Sequence, residues 1–196
     1  MRKDQRHISD DDAALVATWR SGELASFEAL VGKYQKPMFN IAFRITGNYT
    51  DACEVVQDAF VNAYRGIDSF RGAARFSTWL TAFIVGHSRN RPQQEGGQQR
   101  NEARFLAATT GEDSGSARGP SVPEQAARGD MHRHVQECIG ALLADFREVL
   151  VLRDLHDVPC SEIGAILKIR EATVKARLCQ AREMMKDFLT RAVGER

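Results

Sequence analysis

An all-α protein, built as two small helical domains joined by a flexible linker, is the fold class this sequence predicts. Three observations carry that prediction. Apolar residues recur at i, i+3, i+4 spacing through both halves, with no sustained alternation. The 196 residues include only five prolines. From Gln93 to about Pro123 the periodicity stops in a stretch of Gly, Ser, Gln and charge. The expected boundaries are one domain over 8–92, a linker over 93–122 and a second domain over 123–192.

Each element has a local reason. Asp10 can cap a first helix carrying Ala14, Leu15 and Trp19, stopped at Ser21-Gly22. A second carries Phe27, Leu30, Val31 and Tyr34. Pro37 interrupts it or starts a successor, in which Met38, Ile41, Ala42 and Ile45 extend the apolar face to Gly47-Asn48. A further helix, from near Thr50 to about Arg65, buries Val55, Val56, Ala59, Phe60 and Ala63 and turns Asp51, Glu54, Gln57, Asp58 and Asn62 outward. A basic and aromatic loop follows, Asp68 to Arg75 (DSFRGAAR). Ser77 can then cap a helix with Trp79, Leu80, Phe83 and Ile84 inward, ending before Pro92. Within the linker, one helical turn fits Phe105 to Ala108. Pro123 then starts a helix with Val135, Cys138, Ile139 and Leu142.

Residues Asp145 to Leu189 parse as three helices with two short joints. Asp145 can cap the first, with Glu148 three residues on as its capping-box partner. The second opens near Pro159 and buries Ile163, Ile166 and Leu167. After the joint Lys168-Ile169-Arg170, the third puts Val174, Leu178, Ala181 and Met185 on one face. Its opposite face holds Thr173, Lys175, Ala176, Cys179 and Gln180, flanked by Arg177 and Arg182. This is a helix-turn-helix pattern, whose second helix can enter a DNA major groove.

Composition narrows the partners. The formal net charge is +1. A protein that binds DNA alone through phosphate neutralisation is usually strongly basic, so here either DNA affinity is weak or a larger partner supplies it. No apolar run approaches membrane-spanning length and the N-terminus has no signal-peptide core, which predicts a cytoplasmic protein with no membrane insertion. The four cysteines (Cys53, Cys138, Cys160, Cys179) are scattered without a CxxC, as reduced thiols are. His134 and Cys138 lie one helical turn apart with His132 near, a geometry open to zinc. Cys138 belongs to the apolar stripe, however, and no companion has ligand spacing, so neither metal nor cofactor is expected. Neither a phosphate-binding Gly loop nor a nucleophile–base motif is present. A stand-alone helix-turn-helix regulator would account for the C-terminal half and leave the N-terminal half unexplained.

Two blocks of the chain resemble a known family. SFEALVGKYQKPMFNIAFRITGNYTDACEVVQDAFVNAYRGIDSFRGAARFSTWL resembles domain 2 of the extracytoplasmic-function (ECF) sigma factors, and DFREVLVLRDLHDVPCSEIGAILKIREATVKARLCQAR resembles their domain 4. The blocks stand in the family's order and cover most of the chain outside the linker. The resemblance implies a non-catalytic subunit that guides core RNA polymerase to promoters. It implies that the VVQDAF-type helix docks on the clamp helices of the largest polymerase subunit, here through Glu54, Gln57, Asp58 and Asn62. It further implies contact with the polymerase flap, promoter DNA and an anti-sigma factor as partners.

By the same resemblance, DSFRGAARFSTW captures the opened −10 element. Phe70, Arg71, Arg75, Phe76, Thr78 and Trp79 are of the types that hold unstacked bases and phosphates, with Arg89 and Asn90 beyond them. Phe76 and Trp79 also fit a core stripe, so the loop, Arg71 and Arg75 carry most of this expectation. The basic run is thinner than in many relatives at Ala82, Gly86 and Pro92-Gln93-Gln94, which bears on upstream duplex contacts rather than docking. In domain 4 the third helix would read the −35 element through Arg170, Thr173, Lys175, Arg177, Gln180 and Arg182. Lys168 stands where relatives often have a turn glycine.

Overall fold

A computed structural model describes residues 8–91 and 133–194, and every regular element among them is helical. The N-terminal unit comprises α1 (Ile8–Arg20), α2 (Leu24–Thr46), α3 (Tyr49–Gly66), a 3₁₀ turn (Ile67–Ser69) and α4 (Phe76–Arg89). The C-terminal unit begins with α5 (residues 133–141) and α6 (Ala144–Leu150), which widens into a π-helical turn (Val151–Leu155). It closes with α7 (Cys160–Leu167) and α8 (Glu171–Gly194). The expected linker, its helical turn and the start at Pro123 lie outside the described residues.

In the N-terminal unit the expected inward faces pack as one core. Leu30, Ile41, Val55, Ala59, Leu80 and Ile84 are fully or almost fully buried, ringed by Trp19, Phe70 and Phe76. Gly47 adopts φ 71° and closes α2 through its amide to the Phe43 carbonyl at 2.8 Å. Asn48 then caps α3, its side chain accepting from the Thr50 and Asp51 amides at 2.8 and 3.2 Å. Buried Asp12 on α1 accepts hydrogen bonds from Lys33 and Tyr34 on α2. Burial and this carboxylate hold the Tyr34 hydroxyl well above its ordinary pKa.

Three local expectations are corrected. α2 passes unbroken through Pro37, because buried Tyr34, Met38 and Ile41 on either side outweigh one lost backbone bond. Ser77 does not cap α4, which starts two residues earlier than that cap would set, with Arg75 at the N-cap position and no side-chain cap bond. Asp10 falls inside α1, which already begins at Ile8.

The C-terminal unit holds the expected helix-turn-helix. Lys168 takes the left-handed conformation, φ 56° and ψ 42°, as the joint requires of a residue there. The Ile169 amide returns to the Gly164 carbonyl at 3.0 Å. A Cβ on Gly164 would stand 2.9 Å from the Ile169 carbonyl oxygen, so only glycine permits this close approach. Val174, Leu178 and Ala181 seat α8 on the core. Pro159 precedes α7 as its N-cap rather than entering the first turn. The capping box at Asp145 is absent: α6 starts at Ala144, Asp145 pairs with Arg177, and Glu148 is wholly buried against a distant partner. Two long-range charge pairs have displaced the local capping box.

The two units pack against each other. α4 meets α7, the end of α2 meets α6 and the π turn, and the apolar cores run together. Polar bonds follow the same seam. Gln136 donates to the Phe43 and Arg44 carbonyls and accepts from the Arg44 guanidinium at 2.9 Å. Both carbonyls lie in the last turns of α2, and that of Phe43 also accepts the Gly47 amide.

Candidate nucleic-acid interface

α8 presents the surface the sequence predicts. Arg170, Lys175 and Gln180 are exposed, as are Ala172, Ala176 and Cys179 beside them, while Thr173 is half-buried. Small residues around Lys175 and Gln180 let the helix backbone come close to a groove floor, and the long side chains reach beyond it. The cations are already engaged at the edges. Lys175 pairs with Glu171 one turn back at 2.6 Å, and Arg182 makes a two-pronged bond to Asp154 at 2.8 and 2.6 Å. Arg177, half-buried, pairs with Asp145 of α6 at 2.6 Å. Arg177 and Arg182 thus flank the exposed strip on opposite sides. Exposed pairs of this kind exchange readily for phosphate.

The loop before α4 divides into an inner and an outer set. Phe70 and Phe76 are buried, at 8% and 2% exposure, and meet edge to face with centroids 5.9 Å apart. Trp79 is half-buried against Phe70 and Phe83. Thr78 is buried and donates to Glu162 of α7. Arg71 and Arg75 are exposed, and Arg75 lies 3.5 Å from the same Glu162 carboxylate. Arg89 faces Glu148, whereas Asn90 is exposed at the end of α4. The aromatic residues therefore build the loop's footing, and the arginines form its surface.

On α3 the expected acceptor face separates into two neighbouring rows. Glu54 and Asp58 are exposed and both pair with Arg91, the latter at 3.4 Å. The bond from Arg91 to Glu54 raises the arginine's pKa above its ordinary value. Asn62, one turn further, is half-buried and bonded to a His87 ring nitrogen at 2.7 Å. Gln57 belongs to the adjacent row, with Cys53, Val61 and Tyr64. That row borders an open groove of about 980 Å³ between α2 and α3, floored by Phe27, Val31, Phe39 and Phe60.

This groove was not anticipated from sequence, although a signal exists. Val61 and Tyr64 are apolar positions outside the buried stripe of α3, and they are 40% and 50% exposed. A second apolar groove, of about 800 Å³, lies between α5, the π turn and the distal half of α8. Val135, Ile139, Leu150, Leu155, Met185 and Leu189 line it. Among the described residues no group of three His, Cys, Asp or Glu is placed to hold a metal; His132 lies outside them. Cys138 is buried, which pushes its thiol pKa up. Nor, among the described residues, is any helix long and apolar enough to cross a membrane.

Comparison with known proteins aligns these two surfaces with two known modules. The family described as Sigma-70 region 2 matches residues 30–95, and Sigma-70, region 4 matches residues 132–185. The chain is 31% identical over 178 residues to the ECF RNA polymerase sigma-E factor of Haemophilus influenzae, spanning 90% of this chain and 94% of the relative. With the sigma-E factor of Escherichia coli K12 it shares 32% over 174 residues, spanning 88% and 91%. Among solved structures, CnrH in complex with the cytosolic domain of CnrY superposes with a TM-score of 0.69 at 26% identity, over 92% of this chain and 98% of that one. The sigma factor RpoE from Bartonella quintana, in complex with the anti-sigma factor NepR, shares the fold at a TM-score of 0.60 and 20% identity, over 84% and 96%.

Proposed function

The chain belongs to the extracytoplasmic-function sigma factors of the sigma-70 family, and from that premise we propose how its surfaces divide the work of promoter recognition. It is an alternative sigma factor that directs transcription initiation. RNA synthesis is the chemistry of the core enzyme; this chain contributes recognition and acts in the cytoplasm, where polymerase and promoters are.

α3 docks on the core polymerase. The acidic row Glu54 and Asp58 accepts charge-assisted bonds from arginines of the clamp helices, and the groove beside it, with Gln57 at its rim, takes an apolar side chain. The groove between α5 and α8 takes the polymerase flap. α8 enters the −35 major groove with Arg170, Thr173, Lys175 and Gln180, while Arg177 and Arg182 exchange their carboxylate partners for phosphates. Arg71 and Arg75 hold the opened −10 strand, and Phe70, Phe76 and Trp79 stiffen the loop that carries them. Two structural neighbours were solved with a bound partner, CnrY in one and the anti-sigma factor NepR in the other. An anti-sigma factor for this chain would cover the same two apolar grooves.

The observation that carries the reading is the pairing, in one chain of net charge +1, of an acidic, grooved helix with an exposed cationic helix. Docking then supplies the DNA affinity that the charge balance withholds. Run-off transcription with purified bacterial core polymerase on a pool of genomic fragments tests it. Discrete transcripts that require this protein are expected. Specific retardation of a fragment by the protein alone, with no transcript on adding core enzyme, would mark it as an ordinary DNA-binding regulator.

A further inference from the structure

Resting on the reading of the loop before α4 as the −10 capture surface, we propose that Arg20 of α1 is a positioning residue for that capture. It clamps the root of the loop, so that an incoming strand meets a surface already in place. α1 precedes the residues that match Sigma-70 region 2, and none of the surfaces assigned to polymerase or DNA belongs to it. The loop is slung between two buried rings, Phe70 at its start and Phe76 at its end. Arg71 to Arg75 between them are exposed, with Gly72 in the left-handed region at φ 71°. A segment with so little packing of its own is ordered from its ends.

α1 reaches both ends. Arg20, its last residue, donates to the Ile67 carbonyl at 3.1 Å, and its guanidinium carbon stands 6.0 Å from the centre of the Phe70 ring. The same carbonyl accepts the Phe70 amide at 3.0 Å. One side chain therefore holds both the turn and the ring of the first anchor. A cation also suits this spot, because α3 ends there and its last carbonyls carry the negative end of the helix dipole. At the far end, Trp19 meets Phe76 edge-on with centroids 6.4 Å apart. Tyr34, bonded to Asp12 of α1, lies 5.7 Å from the same ring. Trp19 is buried but Arg20 is exposed, so the clamp can be removed without opening the core. Without it the turn and Phe70 loosen, and the apparent affinity for a strand falls with the fraction of loops still in the competent form. A direct phosphate contact behaves otherwise: its loss weakens every sequence alike and lowers the salt slope.

The test uses holoenzyme and a fluorescent single-stranded oligonucleotide, the non-template −10 strand of a promoter recovered by run-off transcription, beside a scrambled strand. Arg20→Met keeps the aliphatic stem and removes the donor and the charge. Its holoenzyme is expected to bind the promoter strand about tenfold more weakly, the lower value for a hydrogen bond to a charged group. The preference over the scrambled strand should shrink, while core affinity, the melting temperature of the free factor and the salt slope stay unchanged. Hydrogen exchange in holoenzyme should quicken over residues 67–75 and not over the middle of α3. Unaltered exchange in the loop, or undiminished strand affinity, would overturn the clamp. A salt slope lower by about 0.7 with the sequence preference intact would also overturn it, by making Arg20 a phosphate ligand. So would a matching fall in core affinity or melting temperature, the mark of a merely structural residue. Holoenzyme carrying both Arg71→Ala and Arg75→Ala tests the reading beneath: if it binds the promoter strand normally, the capture reading fails, whatever Arg20 does.

Discussion

The buried guanidinium of Arg147 donates a 2.9 Å hydrogen bond to the carbonyl of Ile45, in the last turn of α2. The same group reaches the carbonyls of Ile139, Gly140 and Leu142, so one side chain ties α5 and α6 to the N-terminal unit. Burial lowers its pKa from the usual arginine value, yet leaves it charged at any physiological pH.

Arg147→Ala removes four hydrogen bonds in a site that is 7% exposed, although the Ile139 carbonyl keeps the Leu142 amide. The loss of stability is expected to reach about 3 kcal/mol or more, since each buried group left without a partner costs roughly 1–3 kcal/mol. Arg147→Lys should recover little, because one ammonium cannot span the four positions. Urea denaturation followed by circular dichroism measures both, and a loss below about 1 kcal/mol in the alanine variant would contradict the assignment.

The helix-turn-helix joint gives a pair of opposite effects. Lys168→Gly is expected to raise stability by about 1 kcal/mol, the usual cost of a left-handed non-glycine residue. Gly164→Ala is expected to lower it and to weaken promoter binding, because its Cβ would press on the Ile169 carbonyl. Equal melting temperatures in all three proteins would remove the joint from this account.

His156 makes the seam sensitive to acid. Burial, with the charge of Arg44 across the seam, lowers its pKa from 6.5 to about 4, against a smaller opposing effect of Asp157. The unfolded chain therefore binds a proton that the folded chain refuses. The contribution is complete above pH 6.5 and is lost as pH falls through the window toward 4. Denaturation midpoints at pH 7 and pH 5 should differ, and the difference should shrink in His156→Gln. An undiminished difference in that variant would assign the effect to other groups.

How much of this was legible from residues alone depends on distance along the chain. The inward stripe of α3 and the division of α8 into a buried and an exposed face follow from neighbours three or four residues apart, and the structure has them; at Lys168 the family resemblance pointed to a turn glycine, and the residue is left-handed. Glu148 does not follow. Local rules read it as the capping partner of Asp145, but its actual partner, Arg89, is 59 residues away. Pro37 fails for the same reason, since packing on both sides keeps a helix that propensity would break. Arg147 looks like one more surface cation until the fold surrounds it with carbonyls. On α3 the outer residues were legible, but their division into an acidic row and a groove row required α2 in place.

Promoter reading is best probed at Lys175, whose pair with Glu171 is exposed and local. Lys175→Ala is expected to weaken holoenzyme binding to promoter DNA and leave core association unchanged. If its contact is to phosphate, the salt slope falls by about one unit; if to a base, one position relaxes by about 1–3 kcal/mol. Arg177→Ala should act in the same direction, while also releasing Asp145. Unaltered promoter affinity in both would take α8 out of the DNA-reading role.

The polymerase-docking role of α3 is the account's central claim, and Asp58 tests it most directly. The residue is exposed and its carboxylate lies 3.4 Å from Arg91, so Asp58→Arg should fold normally. Losing a shielded charge-assisted bond costs about 1.5–3 kcal/mol, and facing a partner arginine with a like charge costs more. The measurement is a titration of labelled core polymerase with Asp58→Arg, Asp58→Ala, Gln57→Ala and the unaltered protein. Core affinity is predicted to be weakest for Asp58→Arg and intermediate for Asp58→Ala and Gln57→Ala. Unchanged core affinity in a folded Asp58→Arg protein would contradict the claim.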